Sequence, residues 1–303
     1  LMALNTAMMM NGFVLRLAKG VVLHDPIEVV HLGGAGEAPL AYHPRNLVVL
    51  AEGSQATLIE HYTHMGLPQE QGQPYYANVG TEVSLAEKAV LHHYKLQADA
   101  LNAFHTSTVH AEVAAGALYD AFGMTTGARL SRNEIAVRLA GEEANCHLNG
   151  AYLVRGEQHV DNTTKIDHLV PSTACSEVFK GVIDDRARAV FQGKITVHRD
   201  AQHTNGHQLS KVLLLSDKAE IDAKPELEIY ADDVACSHGA TAGDLDHSAL
   251  FYLRARGIPE KAARAMLIEA FLAESVQNIA AQGLCPALMS SIGHWLAGRR
   301  QEA

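Results

Sequence analysis

Leu50-Ala51-Glu52-Gly53-Ser54-Gln55-Ala56 decides the fold, because the chain returns to the same form again and again. An apolar residue leads into a small turn containing Glu, Asp or Gly, and an alanine then opens a new run. Further copies are Leu85-Ala86-Glu87-Lys88-Ala89, Leu139-Ala140-Gly141-Glu142-Glu143-Ala144, Ile183-Asp184-Asp185-Arg186-Ala187 and Leu215-Ser216-Asp217-Lys218-Ala219. Between the turns the hydrophobic period is two. Ile135, Val137 and Leu139 alternate with Glu134, Ala136 and Arg138; Ile195 and Val197 with Lys194 and Thr196; Leu227 and Ile229 with Glu226 and Glu228. Alternate side chains of a strand point to opposite faces, so residues from about Gly12 to Val234 read as strands. Returns of a few tens of residues fit a coiling sheet, in which each coil has unpaired edges until a neighbour stacks on it. The alanine after each turn fits a corner where a larger side chain would collide. A β-sandwich also turns at short intervals. It is disfavoured because the repeat recurs from Ala56 to Ala219 and hairpin signals are few: Asn11-Gly12, Asn149-Gly150 and Asn205-Gly206. The reading is a mainly β chain coiled as a parallel, right-handed β-helix.

After Thr241 the period changes to that of helices. Asp246 is placed to cap a helix from about His247 to Arg256, with Gly257 as its left-handed stop. Pro259 opens a second helix, in which Ala263, Met266, Leu267, Ala270, Phe271, Val276 and Ile279 form one apolar face and which Gly283 ends. A third, shorter helix runs from Pro286 to Leu296, with a basic end at Arg299 and Arg300. The organisation expected is a β-helix core over residues 1–241 and a small α-helical C-terminal subdomain over 242–303.

Composition narrows the function. The 303 residues carry 24 basic and 34 acidic side chains, a formal charge of -10 that suits a phosphate backbone poorly, so nucleic acid is not an expected partner. No apolar run approaches the ~20 residues of a membrane span, and Leu47 to Ala51 reads as a buried strand. Cys146, Cys175, Cys236 and Cys285 lie far apart with no CxxC pair, which fits a reducing cytoplasm better than a disulfide framework. No secretory pattern opens the chain, and its start at Leu1 suggests a piece of a longer protein. There is no P-loop lysine motif, GxGxxG, GxSxG or HExxH, so catalysis of an ordinary kind is not expected.

Eighteen histidines invite a metal reading. His92 and His93 face opposite sides of a strand and cannot chelate one ion. His105 with His110, and His203 with His207, are equally unconvincing, the latter pair reading as a solvated loop around Asn205-Gly206. Cys236 and His238 differ: two apart on a strand, they share a face, so a thiolate and an imidazole can approach one ion together. Thiolate suits soft iron–sulfur chemistry, and histidine can replace it as a cluster ligand. Asp232 and Asp233 beside them could orient the imidazole. The plainer reading is that Cys236 is a small core residue and His238 a satisfied strand end. Two ligands do not complete a cluster site, so the remainder would come from elsewhere, plausibly another chain.

From about Pro44 onward the chain resembles the SufB/SufD family of iron–sulfur cluster assembly proteins, in its SufD branch. The runs that carry the resemblance include Gly150-Ala151-Tyr152, Asp161-Asn162-Thr163-Thr164, Phe179-Lys180-Gly181-Val182-Ile183-Asp184-Asp185 and Ala189-Val190-Phe191-Gln192-Gly193-Lys194-Ile195. Asp232-Asp233-Val234-Ala235-Cys236-Ser237-His238-Gly239 and Phe251-Tyr252-Leu253-Arg254-Ala255-Arg256-Gly257-Ile258 complete the series. Gly239 after His238 resembles the SufD rather than the SufB pattern, and Ala242 departs from a common valine. The resemblance implies a β-helix that pairs with a SufB-type paralogue, and a helical part that docks a SufC-type ATPase through Arg254, Arg256 and Gly257. It implies that His238, with Cys236 beside it, stands at the cluster-assembly interface as a candidate metal ligand. A cluster or iron would be held there transiently, with no cofactor tightly bound in the isolated chain. The family's N-terminal helical segment is absent from this sequence, and an isolated chain could form a homodimer through the edge meant for the paralogue. The expected role is therefore a non-enzymatic scaffold. The rival classes are a carbohydrate-active β-helix enzyme and a plain structural solenoid.

Overall fold

The structure, a computed structural model, describes residues 1–34, 38–65, 73–277, 279 and 281–298. Its strands are β1 (Val14–Leu17), β2 (Ile27–Gly33), β3 (Leu40–Tyr42), β4 (Arg45–Leu50), β5 (Gln55–His64), β6 (Tyr75–Leu85), β7 (Val90–Gln97), β8 (Phe104–Val113) and β9 (Leu118–Thr125), followed by β10 (Leu130–Leu139), β11 (Asn145–Val154), β12 (His159–His168), β13 (Ala174–Ile183), β14 (Arg188–Val197), β15 (Thr204–Leu214), β16 (Glu220–Ile229) and β17 (Val234–Gly243). One sheet runs β1-β4-β6-β8-β10-β12-β14-β16, with β3 also on β6; the other runs β17-β15-β13-β11-β9-β7-β5-β2. From β4 onward successive strands alternate between the sheets, and each pairs in parallel with the strand one coil away. Ile135 lies beside Thr164, and Thr164 beside Gly193, a step of 29 residues each time. This is a parallel β-helix and not a sandwich.

The corners explain the repeat. Gly53, Lys88, Gly116, Glu143, Gly156, Asp185 and His203 all have positive φ, between 54° and 66°, so seven of the turns pass through a left-handed residue at this place. The turns also stack: Gly20 N–H donates to Glu52 O, Gly53 N–H to Glu87 O, Lys88 N–H to Ala115 O and Gly116 N–H to Glu142 O, each at 2.9 Å. Hydrogen bonding therefore continues around the bend. The corner residues Ala89, Ala144 and Ala187 are fully buried, as their small size predicts.

Two of the expected hairpin signals lie inside strands instead. Asn149-Gly150 is in the middle of β11 and Asn205-Gly206 is in β15, so the His203–His207 segment is not a solvated loop but a corner followed by strand. The glycine at 150 serves packing: a Cβ there would lie 2.5 Å from the Phe179 ring. His92 and His93 do face opposite ways, and His105 is buried where His110 is exposed.

Four helices are described. α1 (Met2–Met8), which the sequence did not reveal, is pinned by buried Asn5, whose Nδ2 donates to Pro44 O at 2.8 Å and Asn78 O at 2.7 Å. α2 (His247–Arg254) is capped by Asp246, which accepts from the Ser248 and Ala249 N–H groups, and Gly257 (φ 83°) closes the segment as expected. α3 (Glu260–Val276) ends seven residues before Gly283, and Pro259 is its cap, not its first turn. Its buried face is Ala263, Ile268, Leu272, Ser275 and Val276; Met266, expected on that face, is 48 % exposed. The phase is set by what the helix covers, since Ile268 and Leu272 pack with Phe122, Leu153 and Val182 on the outer side of the second sheet. A 3-10 turn (Gln282–Leu284) leads into α4 (Cys285–Gly298), where Leu288, Ile292, Trp295 and Leu296 join the same cluster. The basic end expected at Arg299 and Arg300 lies outside the described residues. Lys180 on β13 ties α3 down: its buried Nζ donates to Phe271 O at 2.8 Å, pairs with Glu274 and lies 4.8 Å from the Phe271 ring centroid.

Inside the coil, glycines make room for aromatic rings. A Cβ on Gly181 would lie 2.2 Å from ring atoms of the fully buried Tyr152, whereas one on Gly243 would meet nothing within 4 Å. We expect Gly181→Ala to cost about 1–3 kcal/mol by overpacking and Gly243→Ala to stay within about 0.5 kcal/mol. Urea unfolding of the two variants checks this.

Candidate functional site

The last coil is the place to look, because a parallel helix leaves its final strands half-paired. Among the described residues β16 bonds only to β14 and β17 only to β15. Along β17, Cys236 is in register with Gly206 and His238 with Gln208; one coil further in are Cys175 and Glu177, then Cys146 and Leu148. Those inner residues are buried in the lumen. Cys236 and His238 therefore share the lumenal face, as alternation requires, but no coil covers them. Cys236 is half-buried and His238 is exposed.

The aspartates do not serve His238. Asp233 precedes the strand and faces the corner below, where its Oδ2 is 2.9 Å from His203 Nδ1; Asp232 is exposed. Ser237, on the outer face, pairs its Oγ with His207 Nδ1 at 2.7 Å.

A polar file continues inward from His238. Gln208 Nε2 donates to Glu177 Oε2 at 2.7 Å, and Gly193 opposite leaves room for it, since a Cβ there would lie 1.9 Å from that nitrogen and push the Gln208 side chain aside. Burial pushes the Glu177 carboxyl up to about 7, against hydrogen bonds from Thr164 and Gln208 that lower it. Glu177 thus sits two coils beneath an exposed imidazole.

A second cluster, missed in the sequence, fills the lumen nearer the other end. Glu60 is bonded to His93 Nε2 (2.7 Å), to Tyr62 and to Asn46 Nδ2 (3.4 Å). Burial drives its carboxyl up, but His31, His93 and Tyr62 together hold it well below its ordinary value. Lys95 Nζ donates to His105 Nε2 and to Asn133 Oδ1, both at 2.8 Å, and burial lowers its ammonium to about 8 despite Glu60 and Asp99. Asp99, 3.0 Å from His105 Nδ1, is held at about 2 because His105, Gln97 and Tyr75 outweigh its burial. A cavity of about 50 Å³, lined by Lys95, Asn133, Asn162, Tyr152 and Phe179, lies beside this cluster. The sequence signal was there, since Glu60, His93, Lys95 and Gln97 occupy positions of lumenal parity, but period-two reading takes the apolar set as the inside.

Arg254, Arg256 and Gly257 gather at the end of α2. Arg254 Nη1 lies 3.2 Å from Glu260 Oε2, the Arg256 guanidinium stacks 3.4 Å from the Tyr252 ring centroid, and Gly257 N–H donates to Arg254 O. Phe251 and Tyr252 beside them are 74 % and 55 % exposed, so the surface is aromatic as well as basic. Exposed aromatic patches rimmed by charge are typical of interaction sites. Among the described residues no three His, Cys, Asp or Glu side chains converge as a preformed metal site. Nor is any described helix long and apolar enough to cross a membrane.

Comparison with known proteins fits this architecture. The family profile described as "SUF system FeS cluster assembly, SufBD core domain" matches residues 31–271. The chain is 35 % identical over 279 residues to an iron–sulfur cluster assembly SufBD family protein of Synechocystis, covering 91 % of this chain and 62 % of that protein. It is 33 % identical over 275 residues to the iron–sulfur cluster assembly protein SufD of Escherichia coli (90 % and 64 %). With SufD of Bacillus subtilis it shares 30 % over 297 residues (96 % and 66 %). The chain belongs to the SufBD family of iron–sulfur cluster assembly proteins. It spans just under two thirds of the length of these relatives.

The Glu177 carboxyl makes stability pH-dependent. In the unfolded chain it ionises near 4.5 and in the folded protein near 7. Between those values the unfolded state alone loses its proton, so stability falls as pH rises, by about 1.4 kcal/mol per unit. Glu177→Gln removes that loss. Relative to the parent it should gain roughly 2 kcal/mol more at pH 8 than at pH 5, measured by urea unfolding at both values.

Proposed function

We propose that this chain is a scaffold subunit for iron–sulfur cluster assembly, without turnover of its own, that presents His238 at a seam with a paralogous β-helix. The observation that carries the reading is the open last coil. Among the described residues β16 and β17 each have one edge without a strand partner, and the lumenal face between them ends in Cys236 and His238. A second parallel β-helix placed end to end would satisfy those edges and cover the exposed Ile229 and Tyr230. A SufB-type paralogue is the partner that family membership favours. An isolated chain would meet a second copy of itself through the same edges. In such a seam the imidazole of His238 is the group free to bind iron, with thiolates from the partner completing the set. Cys236 faces inward and acts as packing. The cluster or iron is cargo, held while it is built and then passed on, in a cytoplasmic setting.

The surface made by Phe251, Tyr252, Arg254 and Arg256 is the proposed dock for a SufC-type ATPase. Lys180 couples that dock to β13, so nucleotide-driven movement of the helices would reach the strands below the seam.

His238→Ala, co-expressed with the paralogue and the ATPase and isolated without oxygen, should lose most of its iron and acid-labile sulfide while the complex still assembles. Full cluster content in that complex would remove His238 from the site. Independently, Arg254→Glu with Arg256→Glu should weaken ATPase binding at least tenfold by calorimetry. Unchanged affinity would leave the helices as a cover for the sheet alone.

A further inference from the structure

Arg155 stands in the turn between β11 and β12, and that turn is bonded within itself. Its backbone N–H donates to Gln158 Oε1 at 3.0 Å, and Gln158 N–H donates back to Arg155 O at 3.2 Å. Gln158, itself buried, gives its Nε2 to Ala128 O at 2.9 Å and to Thr126 O at 3.4 Å. The Arg155 side chain reaches away from the turn toward α4, where its Cζ lies 6.0 Å from the Trp295 ring centroid.

Other arginines of the coil are neutralised. Arg129, Arg132, Arg138 and Arg188 each lie between 2.6 and 3.4 Å from a carboxylate oxygen. Arg155 has no such partner among the described residues, and its buried Nη1 has no hydrogen-bond acceptor. The carboxyl end of α4 does not supply one, although a Cβ on Gly298 would lie 2.7 Å from Nη2. A half-buried guanidinium without a counter-charge is costly, because water no longer solvates it fully. Trp295 repeats the pattern: it is 7 % exposed, and its Nε1–H has no acceptor either. An indole N–H is a donor only and normally finds a partner when buried.

Both side chains line one cavity of about 220 Å³ between the coil and α4, with Leu101, Thr126 and Ser291 also in its walls. No Asp or Glu side chain lines it. An adjoining cavity of about 320 Å³ shares Leu101, Arg155 and Gln158, and the Glu157 carboxylate there is engaged by Arg129 at 3.4 Å. Donors without acceptors, a cation without a counter-charge and walls without carboxylates call for an anion.

We propose that this cavity binds a small organic monocarboxylate, its carboxylate on Arg155 and Trp295 Nε1 and its short apolar body against Leu101. The guanidinium fork matches the paired oxygens of a carboxylate. A phosphate, with more charge and more oxygens, finds too few donors here. Pockets for drug-sized ligands run to roughly 300–1,000 Å³, so this one suits a ligand of only a few heavy atoms. Because coil and α4 both form its walls, the bound carboxylate bridges helix to coil. The site shares no residue with the seam proposed for His238 and does not depend on it.

Trp295 is the chain's single tryptophan, so its fluorescence reads the site directly. The test titrates the intact chain with butyrate, holding ionic strength constant with sodium chloride. A saturable change with a dissociation constant on the order of 1 mM is expected, as suits so small a ligand. Butyramide, the uncharged isostere, and inorganic phosphate should each bind about tenfold more weakly or worse. Arg155→Gln should cost about tenfold or more. Gly298→Ala keeps every donor and meets only the flexible guanidinium tip, so the fold survives while the fork is displaced; it should weaken binding several-fold. Arg129→Gln, in the adjoining cavity, should change affinity by less than about twofold. Saturating butyrate should also raise the urea midpoint of the parent and leave that of Arg155→Gln where it was. An absent or unsaturable response, or butyramide or phosphate binding as tightly as butyrate, overturns the proposal. So does binding indifferent to Arg155→Gln and Gly298→Ala, or weakened as much by Arg129→Gln.

Discussion

Everything in this molecule follows from coils that lie residue on residue in parallel register. A backbone hydrogen bond contributes only about 1 kcal/mol net, yet leaving a buried one unmade costs as much or more. A sheet that must turn a corner every ten residues therefore needs the corner itself to be bonded. At successive bends a left-handed residue does this: it aims its N–H at the carbonyl of the next coil, as Gly53, Lys88 and Gly116 do. Non-glycine residues accept a modest conformational cost at several of these bends. Because each bend repeats the last, side chains at one position form files along the axis. The files of thiols, of corner alanines and of polar groups under His238 are all consequences of that single constraint.

The lumen is not uniformly apolar. Elsewhere it is filled by Leu, Val, Ile and Ala, but it also carries Glu60 with His93, and Lys95 with His105 and Asp99, as two bonded groups that meet at the Tyr62 ring, and Glu177 with Gln208 as a third. Such groups are expensive to bury alone and tolerable when paired. The first two groups set basic side chains beside their carboxyls, which is why Glu60 and Asp99 remain ionised. Glu177 has only neutral partners, so it holds its proton to much higher pH. The same chemistry, a carboxyl in a β-helix, takes opposite protonation states according to whether histidines stand next to it.

The sequence showed clearly what depends on local sterics. Strand alternation, the Ala corners, the Asp246 cap and the Gly257 stop need only a few neighbouring residues to be understood. The shared lumenal face of Cys236 and His238 came from the same two-residue rule. What depends on a partner coil was illegible. Asn149-Gly150 and Asn205-Gly206 look like turns, yet both lie inside strands paired with neighbouring coils, and the glycine at 150 is there because the Phe179 ring needs the space. The buried face of α3 was misjudged because the sheet beneath it, not the helix's own pattern, selects Ile268 and Leu272 over Met266. α1 went unseen because its anchor is a single asparagine and not an apolar stripe. Asp233 was assigned to the wrong histidine because the turn at His203, not sequence proximity to His238, decides where its carboxylate goes.

Lys180 gives the helical part a mechanical character. Its ammonium is gripped by a backbone carbonyl, a carboxylate and a ring face of α3, while its strand is the third from the open end of its sheet. Together with the packed face of Ile268 and Leu272, that grip makes β13 a place where α3 can pass load to the sheet, the arm toward α2 being the far one. Torque applied at the far arm would bear on the very strand that carries Glu177 and Cys175, two places in from the rim. The outermost strands, supported from one side only, are the ones such a twist would loosen first.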